Sequence, residues 1–157
     1  MSLAIRAGKA MDKVYLRMRH PRAFEVTSGR SGGFDALRGH KYALMVTFRR
    51  SGKAVPTPTW FGVGEEGNAY AHTYADAGKV KRLRNDPRVL LAPCTVRGKP
   101  LGPAIEGRGR VLAREEWDRA ERAIQANYGL GRRLYMVPAS GERATTMTYL
   151  EISPLPS

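Results

Sequence analysis

Cysteine is nearly absent. The 157 residues hold one, Cys94, so no disulfide can form within the chain. A lone thiol fits a reducing, cytoplasmic setting. Cys94 ends an apolar stretch and reads as an inert buried thiol. Histidine is almost as scarce. His20, His40 and His72 stand at no metal-ligand spacing, so no metal site is expected. There is no Gly-x-Ser-x-Gly elbow and no Walker-type phosphate loop. No apolar run is long enough to cross a bilayer, and no secretory signal opens the sequence. Acids are the other shortage. Fourteen Asp and Glu stand against 27 Lys and Arg, for a net charge of +13. That imbalance implies an anionic partner: nucleic acid, an acidic membrane surface, or a multiply charged small molecule.

What is present is ordinary for a globular domain. Hydrophobic residues make up 42%, enough to build one core in a chain of this length. The most informative stretch is Thr73–Val89. Asp76 is placed to cap a helix whose first turn is Ala77-Gly78-Lys79. Val80 and Leu83 are three apart and face the core. Pro87 ends the helix near Asp86. A helix N-terminus favours acids, yet this one carries Lys79, Lys81, Arg82 and Arg84. Free backbone N–H groups and these cations together form an anion site. The alternative reading is a solvated basic face.

Around this stretch the pattern is β-rich. Met11, Val14, Tyr15 and Met18 mark an amphipathic helix, with Lys9, Lys13 and Arg17 on its other face, ending near His20-Pro21. Packing on its own domain is the favoured reading of that helix, and membrane contact the less favoured one. Gly29–Gly33 is a loop, and Phe34–Leu37 a single helical turn. Strands are expected at Tyr42–Phe48, Ala54–Phe61, Ala69–Thr73, Arg88–Cys94, Ala104–Leu112 and Thr145–Ile152. Pro56 and Pro58 cannot donate to a ladder, so one edge of the second strand is free or bulged. Arg88–Cys94 is nearly all apolar and therefore buried on both faces. Gly107 and Gly109 suggest a bulge or a barrel corner. Arg114–Tyr128 is a helix with Trp117, Ala120 and Ile124 on its apolar side and Gly129 as its stop. Gly131–Arg133 is basic again. Glu115 and Glu116 complement the dipole at a helix start rather than form an acid–base pair. Trp60 either fills core or stacks on a planar ring. Short turns make most strand pairs antiparallel, and such a sheet closes into a barrel to remove its edges. No side-chain catalytic apparatus emerges, as expected where a bound cofactor carries the chemistry.

Several segments carry a resemblance. They are Gly39-His40-Lys41-Tyr42-Ala43-Leu44, Pro56-Thr57-Pro58-Thr59-Trp60, Gly78 through Val89, and Ala92-Pro93-Cys94 followed by Gly102-Pro103-Ala104. In this order the chain resembles the FMN-binding split β-barrel, or pyridoxamine 5′-phosphate oxidase-like, superfamily. Within it the chain is most similar to the coenzyme F420 (deazaflavin)-dependent oxidoreductases of actinobacteria. Gly29–Phe34 is similar, more loosely, to the nitroreductase-like branch. The resemblance implies a mainly β fold, a six-stranded antiparallel split β-barrel with peripheral helices, forming a homodimer. Residues 1–38 would be a basic N-terminal extension and 39–157 the cofactor-binding barrel. The cofactor phosphate would sit at the helix start near Gly78, held by Thr73, Lys79 and either Lys81 or Arg82. Pro58, Thr59 and Trp60 would present backbone to the ring's polar edge. A loop such as Arg97–Pro103 of the other subunit would cap the site. Coenzyme F420 carries a phosphate and a polyglutamate tail, which suits the positive charge. The Arg-Leu-x-Pro ending of pyridoxamine phosphate oxidases is missing, so vitamin B6 oxidation is disfavoured.

The expected function is hydride transfer between F420 and an electron-poor small organic acceptor, with no catalytic side chain. The alternatives are FMN in the same fold, or a non-enzymatic basic module that binds nucleic acid or carries a cofactor. No nucleic-acid motif supports the last of these.

Overall fold

Turns and alternation set a single sheet. The computed structural model describes residues 3–130, 132 and 146–156. Helix α1 (Leu3–Arg17) comes first, then strands β1 (Tyr42–Phe48), β2 (Ala54–Thr59), β3 (Phe61–Val63) and β4 (Ala69–Tyr74). Helix α2 (Gly78–Asn85), strands β5 (Arg88–Cys94) and β6 (Ile105–Val111), helix α3 (Trp117–Tyr128) and strand β7 (Met147–Pro154) follow. Among the described residues seven strands form one sheet, ordered β2-β1-β5-β6-β7-β4-β3, with every pair antiparallel. Of the stretches singled out above, Gly131, Arg133 and Thr145 lie outside the described residues.

The strand count differs from the expected six at one residue. The sequence predicts a continuous strand over Ala54–Phe61, but Trp60 belongs to neither β2 nor β3. The Tyr128 hydroxyl accepts a hydrogen bond from the Phe61 N–H at 3.0 Å, and its ring stacks on Trp60 with centroids 4.9 Å apart. α3 therefore holds the break open. The two prolines fall as expected: β2 is an edge strand paired only with β1, with Pro56 opposite Val46 and Pro58 opposite Leu44.

β5 is apolar from Val89 to Cys94 because it serves two cores. Val89 and Leu91 join Phe34, Met45, Leu83 and Ile152 on one side. Leu90, Ala92 and Cys94 join Ala23, Leu44 and Val46 on the other. Each fully buried Val or Leu contributes roughly 1.5–3 kcal/mol before ordering entropy is counted. The glycines of β6 mark close approach instead of a bulge. Register runs unbroken, with Gly107 opposite Val89 and Gly109 opposite Ile152. A Cβ on Gly109 would sit 2.8 Å from a Leu83 methyl, so this position lets α2 lie directly on the sheet.

Two local expectations are corrected. Asp76 does not cap α2. Its carboxylate instead takes a salt bridge from Lys9 at 2.7 Å, and Ala77 occupies the cap position without a side-chain bond. Of the expected apolar stripe of α1, Tyr15 turns to the cleft but the other three residues do not pack on the domain. Met11, Val14 and Met18 remain 73%, 58% and 52% exposed, while Ile5 is buried on the opposite side. The Lys9–Asp76 pair and the approach of Gly8 to the Tyr74 hydroxyl turn that opposite side inward.

Candidate functional site

One edge of the sheet meets the strand next to its opposite edge. β2 contributes Thr57, Pro58 and Thr59, and β4 contributes His72, Thr73 and Tyr74, to a cleft of about 380 Å³. Four strands lie between these two in sheet order. They share a cleft because the sheet curls, as in a split barrel. Trp60 and Tyr42 extend the β2 side, Ala77 and Lys79 come from the start of α2, and Asp12, Tyr15 and Leu16 of α1 close over the top. The volume is in the range of small-molecule sites.

Lys79 is the electrostatic centre. It is half-buried, and among the described residues neither a hydrogen bond nor a salt bridge reaches its ammonium. Burial lowers its pKa to about 8; the Asp12 carboxylate opposes the shift and Arg82 adds to it. Burial in turn raises the Asp12 carboxyl, with Lys79 pulling the other way. Lys79 sits in the first turn of α2, where backbone N–H groups lack helical partners. An anion there would satisfy both.

The residues singled out by sequence divide into two groups. Pro58, Thr59, Trp60, Thr73 and Lys79 all line the cleft. Gly78 opens α2 but is exposed, and Lys81 is exposed; neither lines the cleft. Arg82 leans toward β1, where its Nε donates to the Thr47 hydroxyl at 2.7 Å. Gly78 leaves room for that side chain, since a Cβ there would meet Arg82 Nη1 at 2.7 Å. Arg49 and Arg19 add positive charge nearby: after burial, they are what lowers the Arg82 pKa. Arg19 is held by the carbonyls of Leu16 and Pro56, and no carboxylate pairs with any of the three arginines among the described residues.

Sequence reasoning missed a second set of cleft residues. His72 lines the cleft and stacks on Tyr149 with centroids 4.4 Å apart. Its Nδ1 lies 2.9 Å from an Arg132 Nη2. Arginine can only donate, so Nδ1 accepts and the ring proton sits on Nε2. Arg132 is 2% exposed and bonds both Glu121 oxygens, at 2.7 and 3.0 Å. The Tyr149 hydroxyl also donates to Glu121. Burial pushes the Glu121 carboxyl up, but these bonds outweigh it and hold the group below its usual range. His72 directly precedes Thr73, yet its partners come from α3 and beyond, which no local pattern announces. Asp12, Tyr15 and Leu16 were equally invisible, because nothing local places α1 over the cleft.

Among the described residues the cleft holds no nucleophile paired with a base. Its lining offers one cation with no salt bridge among the described residues, Lys79, and the aromatic side chains Trp60 and Tyr42.

Residues 34–154 match the family model described as pyridoxamine 5′-phosphate oxidase. No curated protein sequence matches the chain. Among solved structures it is similar to protein Atu2129, of unknown function, from Agrobacterium tumefaciens, at 18% identity and a TM-score of 0.57. That match covers 73% of this chain but only 48% of the other, so this chain spans about half its length. It is also similar to HutZ, the heme storage protein from Vibrio cholerae, at 12% identity and a TM-score of 0.56, over 75% of this chain and 84% of that one. A FAD-binding protein from Mesorhizobium loti matches at 12% identity and a TM-score of 0.54, over 76% and 83%. Likeness at this level shows a shared fold.

Proposed function

The chain belongs to the pyridoxamine 5′-phosphate oxidase family, and from that premise we propose that it is an F420-dependent oxidoreductase acting on an electron-poor small organic acceptor. The reading rests on one observation: a half-buried lysine with no salt bridge or hydrogen bond among the described residues, only the nearby Asp12 carboxylate, in the first turn of a helix, at one end of a cleft walled by Trp60 and the β2 edge. Lys79 and the Thr73 hydroxyl bind the cofactor phosphate by charge-assisted and ordinary hydrogen bonds. Pro58 and Thr59 offer backbone from β2, an edge strand whose outer side meets no other strand among the described residues, and Trp60 lines the cleft beside them. Tyr15, Leu16 and Tyr42 exclude water from the cleft. When bound, the deazaflavin supplies the hydride; the protein's part is orientation and exclusion of solvent. Asp12 faces the same anion, so binding favours its protonated form or its withdrawal.

F420 is preferred to FMN because of the charge beyond Lys79. One phosphate needs one cation, yet Arg19 and Arg49 act electrostatically on Arg82, and none of the three has a salt bridge among the described residues. A polyglutamate tail gives such cations partners. The proposed assembly is a two-fold homodimer with the second copy completing each cleft.

Parallel titrations with F420, FMN, FAD and heme, followed by tryptophan quenching at physiological salt, test the reading. F420 should bind tightest. Lys79→Ala should weaken it about 10- to 100-fold, the value of a charged hydrogen bond, with an unchanged circular dichroism spectrum. Tighter binding of FMN or FAD would move the protein to flavin chemistry. Binding of heme alone would remove the enzyme reading, and unchanged affinity in the variant would remove Lys79 from the phosphate site.

A further inference from the structure

The inward face of α1 is accounted for: Ile5 is buried, Lys9 pairs with Asp76, and Asp12, Tyr15 and Leu16 wall the cleft. The outward face is not. Leu3, Met11 and Val14, with Met18 just beyond the helix end, are 82%, 73%, 58% and 52% exposed. At about 100° per residue these positions share one sector roughly 80° wide. The stripe runs the length of a 15-residue helix, about 22 Å. Four large apolar side chains in one row are not the scattered exposure expected of a surface. Arg6, Lys13 and Arg17 follow along one flank of that row, all exposed and none paired with a carboxylate among the described residues.

We propose that α1 docks the protein on an anionic lipid surface, its apolar stripe entering the headgroup boundary and Arg6, Lys13 and Arg17 meeting the lipid phosphates. An in-plane helix with this division of faces is the usual interfacial anchor. Charge selects the occupant. A second copy seated on the stripe would bring the same three cations against their own likeness, on a chain whose net charge is already +13. An anionic bilayer reverses the sign of that interaction. Spanning is not involved, since no described helix is long and apolar enough to cross a membrane. Docking through α1 also sets the cleft beneath the membrane-facing helix, within reach of a lipophilic acceptor. This placement of the protein stands independently of which cofactor fills the cleft.

Co-sedimentation of the full chain with vesicles tests it. Phosphatidylcholine vesicles and vesicles that also contain phosphatidylglycerol are compared at low and physiological salt. Binding to the anionic vesicles should exceed binding to the neutral ones at least about tenfold, and salt should weaken it. Met11→Asp with Val14→Asp should abolish binding, and Lys13→Glu with Arg17→Glu should remove the preference for anionic lipid. These side chains are exposed, so both variants should keep the parent melting temperature and cofactor affinity. Equal partitioning of parent and Asp variant would overturn the proposal. So would failure of the parent to bind anionic vesicles, or a shift from dimer to monomer on Met11→Asp and Val14→Asp in size-exclusion chromatography with light scattering, which would make the stripe a self-interface.

Discussion

Arg110, Arg119 and Arg132 rest on carboxylates, whereas Lys79 and Arg82 rest on none. On the α3 side, Arg110 bonds Glu116 and Glu151, and Arg119 bonds the same two acids. Glu151 is buried and also accepts from the Tyr70 hydroxyl at 3.0 Å. Arg132 bonds both oxygens of Glu121. The hydrogen bonds to Glu116 and Glu151 raise the Arg110 pKa. On the cleft side the direction reverses: burial and like charge lower both Lys79 and Arg82, and only Asp12 acts the other way on Lys79. The chain has 14 acids for 27 bases, and three of those acids knit α3 to the sheet. Their cations are structural. Arg132 also lines the cleft but is held by Glu121, whereas Lys79 has no ion-pair partner among the described residues and is the cleft cation available to a ligand.

The sharpest break of this contrast is Glu121→Ala. It takes both carboxylate bonds from a guanidinium that is 2% exposed. Removing one partner of a buried pair costs about 3–5 kcal/mol. Urea denaturation should show a loss of that order. A loss below about 1 kcal/mol, the value of a surface pair, would mean that this half of the molecule is no more committed than the cleft.

Lys79→Met tests the other half, and its two effects have opposite signs. Anion affinity should fall about 10- to 100-fold. The ligand-free protein should melt at a higher temperature, because a half-buried cation whose burial cost Asp12 offsets only in part has been replaced by an apolar side chain of similar length. Lower melting in this variant would show that Lys79 has a structural partner after all.

Titration sharpens the point without mutation. The folded-state pKa of Lys79 is about 8, against 10.5 for the free side chain. Below pH 8 both folded and unfolded chains carry the proton, and the folded state bears the full penalty of the charge. Between about pH 8 and 10.5 the unfolded chain binds more protons, so Lys79 makes ligand-free stability rise with pH through that window. Anion binding runs the other way, weakening above pH 8. A bound phosphate restores the charge, so binding near pH 8.5 to 9 should take up protons. Calorimetric titration in buffers of different ionisation heat reads that uptake, which Lys79→Met should lose.

Much of this contrast was legible in the chain. β1 and β5 fall where the run of apolar residues puts them, and α2 stops at Asn85, with Asp86 as its cap, because of Pro87. The cleft residues Thr73, Lys79 and Pro58–Trp60 are legible because they lie on two short segments with unusual chemistry: a basic helix start and a strand carrying two prolines. What was not legible depends on distant partners. The break at Trp60 requires Tyr128, 68 residues later in the chain, to stack on it and bond Phe61. The loss of Asp76 as a cap requires Lys9 on a helix from the far end of the chain. The face that α1 turns inward was misjudged for the same reason: hydrophobic spacing identifies a stripe, but a glycine contact and one ion pair decide which side packs.

The smallest expected effect separates position from composition within one helix. Lys81 lies two residues beyond Lys79 on α2, has the same side chain, and is equally favoured by the charge pattern of the sequence. It is exposed and does not line the cleft. Its charge acts on a cleft anion through water, where a single cation is worth a few tenths of a kcal/mol and is screened by salt. Lys81→Ala should therefore change F420 affinity less than about twofold at physiological salt. Whatever change it makes should shrink as salt rises, while most of the Lys79→Ala loss should persist because that contact is sheltered. Equal losses in the two variants, with equal salt dependence, would mean that the helix attracts its ligand by overall charge alone, and the distinction drawn here between committed and available cations would fail at its centre.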